Sequence, residues 1–504
     1  MYLLNEDTIC APATTPGTGA ISVIRVSGGE ALSVVSSLVR CAPGREIVMA
    51  PGYSVRFGRI YAEDGSLLDE VLVSVFRAPH SYTGEDSAEI SCHASKYIVD
   101  NVLGLLVEAG VRPAEPGEFT RRAYLNGKMD LAQAEAVADL IAARSAAAHH
   151  MALSQLKGGF SKELRQMRGK LLNIVSLMEL ELDFGEEEVE FADRSELDAL
   201  VNEVTAHIGR LISSFRLGNV LKNGIPVAIV GETNTGKSSL LNVLLGEERA
   251  IVSDIQGTTR DTVEETMNVG GLMFRFIDTA GIRQTDEAVE RIGIERTFRK
   301  LEEAAVVMVM SDAGRGGVPG GVGDVMGRLD ASRQKVIFVL NKIDLQGAAP
   351  ARADVAGSDS RVASVGTTGV ASGGVGGTPS IFADAMSRIE SECLEHGFRN
   401  VPVVCISAKT GEGLDLLRNA LTDVSAEYSV SAEDTIVTNA RHIDALTNAH
   451  AALNRVSDGL RTGLPSDLLS QDIREALYHL GSIVGEISTD EILGNIFKNF
   501  CIGK

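Results

Sequence analysis

The residue spacing richest in chemistry is Gly231-xxxx-Gly236-Lys237-Ser238. It follows an apolar run from Ile225 to Val230 and opens onto a helical pattern from Ser239 to Leu245. Glycines in such a loop let backbone N–H groups surround phosphate oxygens at a helix N-terminus, while the lysine reaches the β and γ phosphates and the serine can ligate Mg²⁺. The pattern alone also occurs by chance, but a strand before it and a helix after it predict a phosphate-binding loop.

Three later segments complete a guanine-nucleotide pattern. In Phe276-Ile-Asp-Thr-Ala-Gly281, the carboxylate of Asp278 can hold Mg²⁺ through water and the Gly281 amide can sense a γ-phosphate. In Asn341-Lys-Ile-Asp344, a carboxylate can accept hydrogen bonds from N1–H and the 2-amino group of guanine, which adenine cannot offer. Ser407-Ala-Lys409 closes the series after another strand. The order and the strand contexts predict specificity for guanine.

The catalytic part of the pattern has a gap. Gly257-Thr-Thr-Arg-Asp261 is expected to cover the nucleotide, with a threonine hydroxyl as a second Mg²⁺ ligand. Many GTPases orient the attacking water with a Gln directly after Asp-xx-Gly, but Ile282 stands there. No arginine finger can be identified from the sequence. A monovalent cation bound near the neutral oxygen of Asn234 can supply that positive charge to the phosphates. Acidic residues that can orient the attacking water in place of the glutamine follow at Asp286, Glu287, Glu290 and Glu295.

Composition limits the protein class. The chain has 504 residues, a length that predicts about three domains. Its net charge of −21 argues against a protein that coats nucleic acid in general. A local basic surface around Arg121, Arg122 and Lys128 is either solvated charge or a contact for a phosphate backbone. The six scattered cysteines indicate neither a disulfide framework nor a zinc site. No apolar run approaches the roughly 18 residues of a membrane span, so we expect a cytoplasmic protein.

Hydrophobic periodicity predicts a multidomain fold. Residues 1–122 have α+β character, 123–222 and 427–504 are helical and together form one domain, and 223–426 alternate strands and helices as an inserted α/β, Ras-like P-loop GTPase module. The glycine-rich stretch at about 347–378 is interpreted as a flexible, low-complexity insertion. The predicted strands are Ala20–Val26, Glu70–Phe76, Val227–Val230, Met273–Ile277, Val306–Met310, Val336–Leu340 and Val403–Ile406. Helices are predicted from Asp434 to Leu460 and from Ser466 to Gly481.

Motifs along nearly the whole chain resemble one family, the tRNA modification GTPases called MnmE or TrmE. They are Ile24-Arg-Val-Ser-Gly28, Tyr82-Thr-Gly-Glu-Asp86, Pro116-Gly-Glu-Phe-Thr120, Leu125 to Glu135, Gly257 to Asp261, Val289 to Arg296 and Phe500-Cys-Ile-Gly-Lys504. The terminal Cys-Ile-Gly-Lys is especially specific. Two departures are Thr233 and Thr235, where the family usually has Pro and Ala.

The resemblance implies a potassium-stimulated, magnesium-dependent GTPase that forms a homodimer through its N-terminal domain. It also implies a 5-formyl- or 5,10-methylene-tetrahydrofolate bound there. With an FAD-containing MnmG partner in a heterotetramer, such a protein takes part in aminomethyl or carboxymethylaminomethyl modification of wobble uridine in certain tRNAs. The alternative from another class is a regulatory GTP switch in ribosome assembly, which would not need Cys501 to Lys504 or the folate-contacting positions.

The resemblance also implies residue roles. Glu290 orients the attacking water and Cys501 is needed for the modification. Mg²⁺ ligands are Ser238 and Thr259, and K⁺ ligands are Asn234, Ser253, Ile255 and Thr258. Folate-contacting positions are Arg25, Glu89, Lys128 and Lys504. The predicted GTP-binding residues are Asn234, Thr235, Gly236, Lys237, Ser238, Ser239, Ser253, Asp254, Ile255, Gln256, Gly257, Thr258, Thr259, Asp278, Thr279, Ala280, Gly281, Asn341, Lys342, Asp344, Ser407, Ala408 and Lys409.

Overall fold

The computed structural model divides the chain into two compact units. The first comprises residues 1–142, 151–213 and 439–504, and the second comprises 143–150 and 214–438. Within the described residues, no helix has the length and apolar character needed to cross a bilayer. The structure describes residues 7–17, 19–183, 194–232, 234–249, 265–277, 301–315, 322–345, 352–354, 379–428, 435–487, 490–498, 500–501 and 503.

The elements are numbered in chain order. The strands are β1 Ile9–Pro12, β2 Ile21–Ser27, β3 Val39–Cys41, β4 Ser54–Tyr61, β5 Leu67–Phe76, β6 Ser87–His93, β7 Arg112–Pro113, β8 Ile225–Val230, β9 Glu265–Val269, β10 Leu272–Ile277, β11 Val306–Asp312, β12 Lys335–Asn341, β13 Arg352–Asp354 and β14 Pro402–Cys405. The helices are α1 Ala31–Leu38, α2 Lys96–Glu108, α3 Glu118–Leu125, α4 Leu131–Ala142, α5 Ala146–Leu156, α6 Gly159–Asp183, α7 Arg194–Asn223, α8 Lys237–Arg249, α9 Val322–Met326, α10 Pro379–Glu395, α11 Leu414–Val424, α12 Ala440–Thr462, α13 Ser466–Val484 and α14 Asp490–Phe497. Short 3₁₀ turns lie at Ile47–Met49, Ala313–Arg315, Ile343–Leu345 and Ala426–Tyr428.

The first unit begins with a seven-stranded sheet in the order β3-β4-β5-β6-β2-β1-β7. Its neighbouring strands are antiparallel except for the parallel pair β1 and β7. Side chains alternate between faces along a strand, so one face can bury apolar residues while the other meets solvent. The buried face packs with residues of α1 and α2 in one core. On the opposite face, Phe57 and its cross-strand partner Leu72 are half-exposed.

A buried ion cluster joins the two chain segments of the helical part of this unit. Glu135 on α4 accepts hydrogen bonds from Arg441 Nε (2.9 Å) and Nη2 (3.0 Å) on α12, and His442 Nε2 lies 2.6 Å from Glu135 Oε2. Burial alone raises the pKa of a carboxyl, but His442 and Arg441 outweigh it and lower the pKa of Glu135 to about 2. The charged cluster therefore ties residues about 300 positions apart into one core.

Helix α12 begins later than the sequence pattern predicts. The predicted start at Asp434 is wrong because Asn439 caps the helix, accepting a hydrogen bond at its side-chain oxygen from Arg441 N (2.9 Å). Asn is a favoured N-cap because its side chain satisfies a backbone N–H that has no partner within the helix. The helix ends at Gly463, whose φ of 74° is the left-handed conformation typical of a C-terminal glycine.

The second unit contains a seven-stranded sheet in the order β13-β14-β12-β11-β8-β10-β9. Its inner pairs are parallel and its two edge strands, β9 and β13, are antiparallel to their neighbours. The five strands predicted in this module are therefore confirmed, and the multidomain α/β and helical fold with them. The edge strands were not predicted. Strand β13 lies within the stretch 347–378, so residues 352–354 of the predicted flexible insertion form an edge strand.

A short excursion of the chain adds to this unit. Residues 143–150 belong to it although they precede the module by about 70 positions. The Asn268 side chain on β9 donates to Arg144 O (2.9 Å), and Ala147 N donates to Gly271 O (3.3 Å) in the turn between β9 and β10. One continuous inserted module, as the sequence predicts, would need two connections to the rest of the chain, whereas the chain passes between the two units four times.

Candidate functional site

The phosphate-binding loop connects the fully buried strand β8 to α8. Its first and last glycines are required by neighbours. A Cβ on Gly231 would collide with Met310 O on β11, and a Cβ on Gly236, whose φ is 97°, would collide with the Asn341 amide. The two glycines therefore let the loop lie directly against the ends of β11 and β12.

The lysine of this loop points back over it. Lys237 Nζ donates to Gly231 O and Glu232 O, both at 2.7 Å. Burial lowers the pKa of the Lys237 ammonium. An ammonium held by neutral carbonyls at the rim of a loop of backbone N–H groups can bind an incoming phosphate oxygen, which is the chemistry expected of this position.

Asn341 connects three loops. Its Nδ2 donates to Thr235 O in the phosphate loop (2.8 Å), and its Oδ1 accepts from Ala408 N in the loop after β14 (2.9 Å). Only 2% of Asn341 is exposed. Thr235 is also buried, and its hydroxyl donates to Glu232 O (2.9 Å), so this departure from the family pattern is used within the loop. One buried amide thus fixes the phosphate loop relative to the predicted guanine-binding loops.

Asp344 and Ser407 form the predicted base-binding edge. Asp344 lies in the turn Ile343–Leu345, where its Oδ1 accepts a hydrogen bond from Ser407 Oγ (2.8 Å). Ser407 is fully buried and its Oγ also accepts from Thr410 N (3.2 Å). Asp344 itself is exposed, so its carboxylate is oriented by the serine and still accessible to a ligand. This arrangement suits a carboxylate that must accept from two donors in one plane.

Some of the remaining predicted GTP-site residues are exposed in the structure, and the others lie outside its described part. Asn234 is exposed at the loop with a left-handed φ of 65°, and Ser238 and Ser239 are exposed in the first turn of α8. Lys409 is exposed beside the buried Ala408. The side-chain oxygens of Asn234 and Ser238 are hard ligands. They fit the predicted K⁺ and Mg²⁺ sites, respectively. Predicted residues outside the described part of the chain are Thr233, Ser253, Asp254, Ile255, Gln256, Gly257, Thr258, Thr259, Asp278, Thr279, Ala280, Gly281, Glu290 and Lys504.

The predicted folate positions lie on the sheet of the first unit. Arg25 on β2 faces its cross-strand partner Glu89 on β6, and its Nε and Nη2 both donate to Glu89 Oε1 (3.0 and 2.8 Å). The guanidinium lies over the rings of Tyr82 and Phe119, 5.3 and 5.7 Å from their centroids. Stacked and paired cations of this kind are fixed in direction. Lys128 Nζ donates to Pro79 O (2.8 Å).

The C-terminal tail lies against the same part of the unit. Gly117 N donates to Cys501 O (3.3 Å), two residues before Phe119, and Cys501 is exposed. Gly117 has a φ of 67°, and a Cβ there would lie 2.8 Å from Phe497 O and 2.9 Å from Phe500 Cβ. Gly503 is buried against Pro12. The tail that carries Cys501 therefore contacts Gly117 and Pro12, which lie close in sequence to Phe119 and to Ala11, the strand neighbour of Arg25.

The basic surface considered from the sequence divides into different environments. Arg122 is buried, and its guanidinium binds the carboxylates of Asp7 (2.8 Å), Glu85 (3.2 Å) and Glu118 (3.0 Å). Arg121 pairs with Glu115 (3.2 Å). Arg122 is therefore a structural cation in the interior, and neither a solvated charge nor an exposed contact for a phosphate backbone.

Comparison with known proteins decides the family. The model of the MnmE helical domain matches residues 131–501, and that of the GTP-binding protein TrmE N-terminus matches residues 8–128. This chain belongs to the MnmE family of tRNA modification GTPases. It is therefore a GTP hydrolase, and family membership favours this enzyme over the ribosome-assembly switch.

Individual MnmE relatives match over nearly the full length. The tRNA modification GTPase MnmE of Bacteroides fragilis is 48% identical over 511 residues, covering 99% of this chain and 100% of the relative. The MnmE of Flavobacterium johnsoniae is 46% identical over 507 residues and covers 100% of both chains. A solved chain of Era, in complex with MgGDPNP and nucleotides 1506-1542 of 16S ribosomal RNA, is 28% identical over 45% of this chain and 66% of that one. Its TM-score of 0.26 is too low to bear on function.

Proposed function

We propose that this protein is a potassium-stimulated GTPase that modifies the wobble uridine of certain tRNAs together with an FAD-containing MnmG-type partner. The observation that carries the nucleotide part is the Asn341 amide, which joins the phosphate loop to the loop of Ser407 to Lys409. A site built this way holds the base and the phosphates at a fixed separation, as hydrolysis of one particular nucleotide requires. The domain boundaries at 122/123, 222/223 and 426/427 belong to the same proposal.

Cations complete the proposed hydrolytic site. Mg²⁺ would be held by Ser238 and Thr259, and K⁺ by Asn234, Ser253, Ile255 and Thr258. Bound there, the ions supply positive charge to the phosphates. The exposed amide of Asn234 supports the potassium assignment because it lies in the phosphate loop and offers a neutral oxygen ligand. Glu290 orients the attacking water in place of the glutamine that Ile282 replaces.

The modification chemistry is assigned to the first unit. Arg25, Glu89, Lys128 and Lys504 would contact a 5-formyl- or 5,10-methylene-tetrahydrofolate, whose carboxylates suit a cation and whose amino-pyrimidine edge suits a carboxylate. The stacked Arg25–Glu89 pair supports a preorganised anion and amide site. The contact from Gly117 N to Cys501 O supports a role for the Cys501 thiol near that ligand.

Two macromolecular partners and a second copy of the chain complete the proposal. The relatives are named for tRNA modification, and we extend a tRNA substrate to this chain. Homodimerisation through the N-terminal sheet is supported by apolar side chains on its open face: Ile21, Val55, Phe57 and Leu72 are 65, 56, 55 and 50% exposed. Apolar surface of this kind commonly marks an interface. The MnmG-type protein would join two copies in a heterotetramer in the cytoplasm.

The test of this function is GTP turnover in potassium and in sodium at equal ionic strength. We expect strong stimulation by potassium in the wild type and its loss in Asn234→Ala. Asn400→Ala is the matched control, because Asn400 is also an exposed asparagine with a left-handed φ (55°) in the same unit. Equal turnover in both salts for the wild type would refute the potassium assignment, and equal loss in both variants would attribute the effect to backbone conformation.

A further inference from the structure

Lys342 has a carboxylate partner that lies outside the nucleotide-binding motifs. Lys342 Nζ lies 2.8 Å from Asp312 Oδ2, and the two side chains are 31% and 15% exposed. Asp312 is the last residue of β11 and the register partner of Asn341, the last residue of β12. Because carboxyl ends of parallel strands meet at the ligand edge of such a sheet, this pairing places an acid directly beside the base-binding loop.

Both carboxylate oxygens of Asp312 make a contact. Its Oδ1 accepts from Gly314 N (2.9 Å) in the turn that follows β11, while Oδ2 holds the lysine. Lys342 has a left-handed φ of 68°, so its side chain leaves the loop in a direction that few residues adopt. The Lys342 side chain is thus restrained at its backbone and at its ammonium group.

We propose that Asp312 is a positioning residue for guanine-nucleotide binding, which it assists by holding the Lys342 stem in place over the base. The inference rests on the proposed assignment of Lys342 as a GTP-binding residue, whose side-chain stem would brace the base. A free lysine side chain loses conformational entropy when a ligand orders it. Because Asp312 already restrains Lys342 in the free protein, this entropy cost does not weaken nucleotide binding. Release of the lysine should therefore speed nucleotide dissociation and leave association unchanged.

The test is a double-mutant cycle on the affinity for a fluorescent GDP analogue. Asp312→Asn keeps a carbonyl oxygen for Gly314 N but loses the charge that holds Lys342. We expect it to weaken binding about tenfold, given the rotamer entropy of a lysine. In a Lys342→Met background, where the stem remains and the ammonium is gone, the same substitution should change affinity little. Lys342→Met alone should weaken binding.

A matched control and the unfolding temperature separate positioning from general destabilisation. Asp415→Asn removes the same charge from an exposed ion pair of the same unit, Asp415 with Arg418 at 2.8 Å, and should leave affinity unchanged. The nucleotide-free melting temperature of Asp312→Asn should stay close to that of the wild type. Equal weakening by Asp312→Asn in both backgrounds, or none in the wild type, overturns the inference. If Lys342→Met binds GDP normally, the proposed role of Lys342 fails as well.

Discussion

Asn341 Nδ2 donates to Thr235 O across 2.8 Å, joining residues 106 positions apart in the chain. The same side chain accepts from Ala408 N, so both ends of a buried amide are occupied by backbone groups of other loops. A residue predicted to bind GTP therefore also holds two loops of this unit together.

Loss of this amide should loosen the whole site. Asn341→Ala leaves Thr235 O and Ala408 N without their partner, and an unsatisfied buried polar group costs about 1–3 kcal/mol. We expect GDP affinity to fall by roughly 10- to 100-fold, measured by fluorescence titration. Thr235→Ala is the control, since it keeps the backbone acceptor and loses only the hydroxyl bond to Glu232 O. Equal losses in the two variants would contradict the bridging role.

Base selectivity should follow the carboxylate of Asp344. In Asp344→Asn the acceptor for the 2-amino group of guanine becomes partly a donor, so GDP binding should fall roughly 100-fold or more. A xanthine nucleotide carries a carbonyl oxygen at that position and should bind better than GDP. Competition of GDP, ADP and XDP against a labelled nucleotide measures the change. Unaltered preference for GDP would refute the assignment.

Hydrolysis should depend on Glu290. Its replacement in Glu290→Ala removes the group proposed to orient the attacking water, and such groups contribute roughly 10²- to 10⁴-fold to rate. GDP and GTP affinity should be retained. Single-turnover hydrolysis of bound GTP is the measurement, with Glu287→Ala and Glu295→Ala as comparisons among the neighbouring acids. Turnover that survives in Glu290→Ala and collapses in a comparison variant would move the role to that residue.

The Glu135 cluster should stabilise the first unit in a pH-dependent manner. The pKa of Glu135 is lowered to about 2, so its contribution is present above the ordinary glutamate pKa of about 4.3 and is lost as pH falls towards 2. Glu135→Gln leaves the buried His442 and the partly exposed Arg441 without a carboxylate, at a cost of about 3 kcal/mol near neutral pH.

Hydrogen exchange in α4 and α12 measures that loss locally. The difference between wild type and Glu135→Gln should shrink below about pH 4.3, where the wild type begins to lose its advantage. Glu203→Gln breaks an exposed ion pair with Lys170 (2.8 Å) and should leave exchange in these helices unchanged. A difference independent of pH would show that packing, and not charge, dominates.

The packing of the C-terminal tail against the first unit should depend on Gly117. Gly117→Ala places a methyl group against Phe497 and Phe500, so the tail should detach and Cys501 should be alkylated faster. Gly127→Ala is matched in backbone strain, with the same φ of 67°, but a Cβ there meets no atom within 4 Å. Peptide mapping after brief alkylation gives the rate at Cys501. Equal rates in both variants would mean that the tail does not rest on this contact.

What the sequence predicts depends on how local the signal is. The five inner strands of the nucleotide-binding module are short apolar runs beside recognisable loops, and each was predictable to within a few residues. Strand β9 has one buried residue in five, so it leaves almost no hydrophobic pattern. The roles of Asn341 and Asp312 as bridges arise only when β11, β12 and the phosphate loop meet. No spacing in the sequence encodes the pairing of Arg25 with Glu89, which depends on the register of two strands 64 positions apart.

The excursion of residues 143–150 also bears on the inheritance of this protein. A cassette cut at two breakpoints, from 214 to 438, would leave behind the residues that bond to Gly271 and Asn268. A recombined gene that received a foreign module would place a new β9–β10 turn against the original residues 143–150. The mismatch would lie far in sequence from either breakpoint. The nucleotide-binding unit and its helical host are therefore expected to descend together as a single piece.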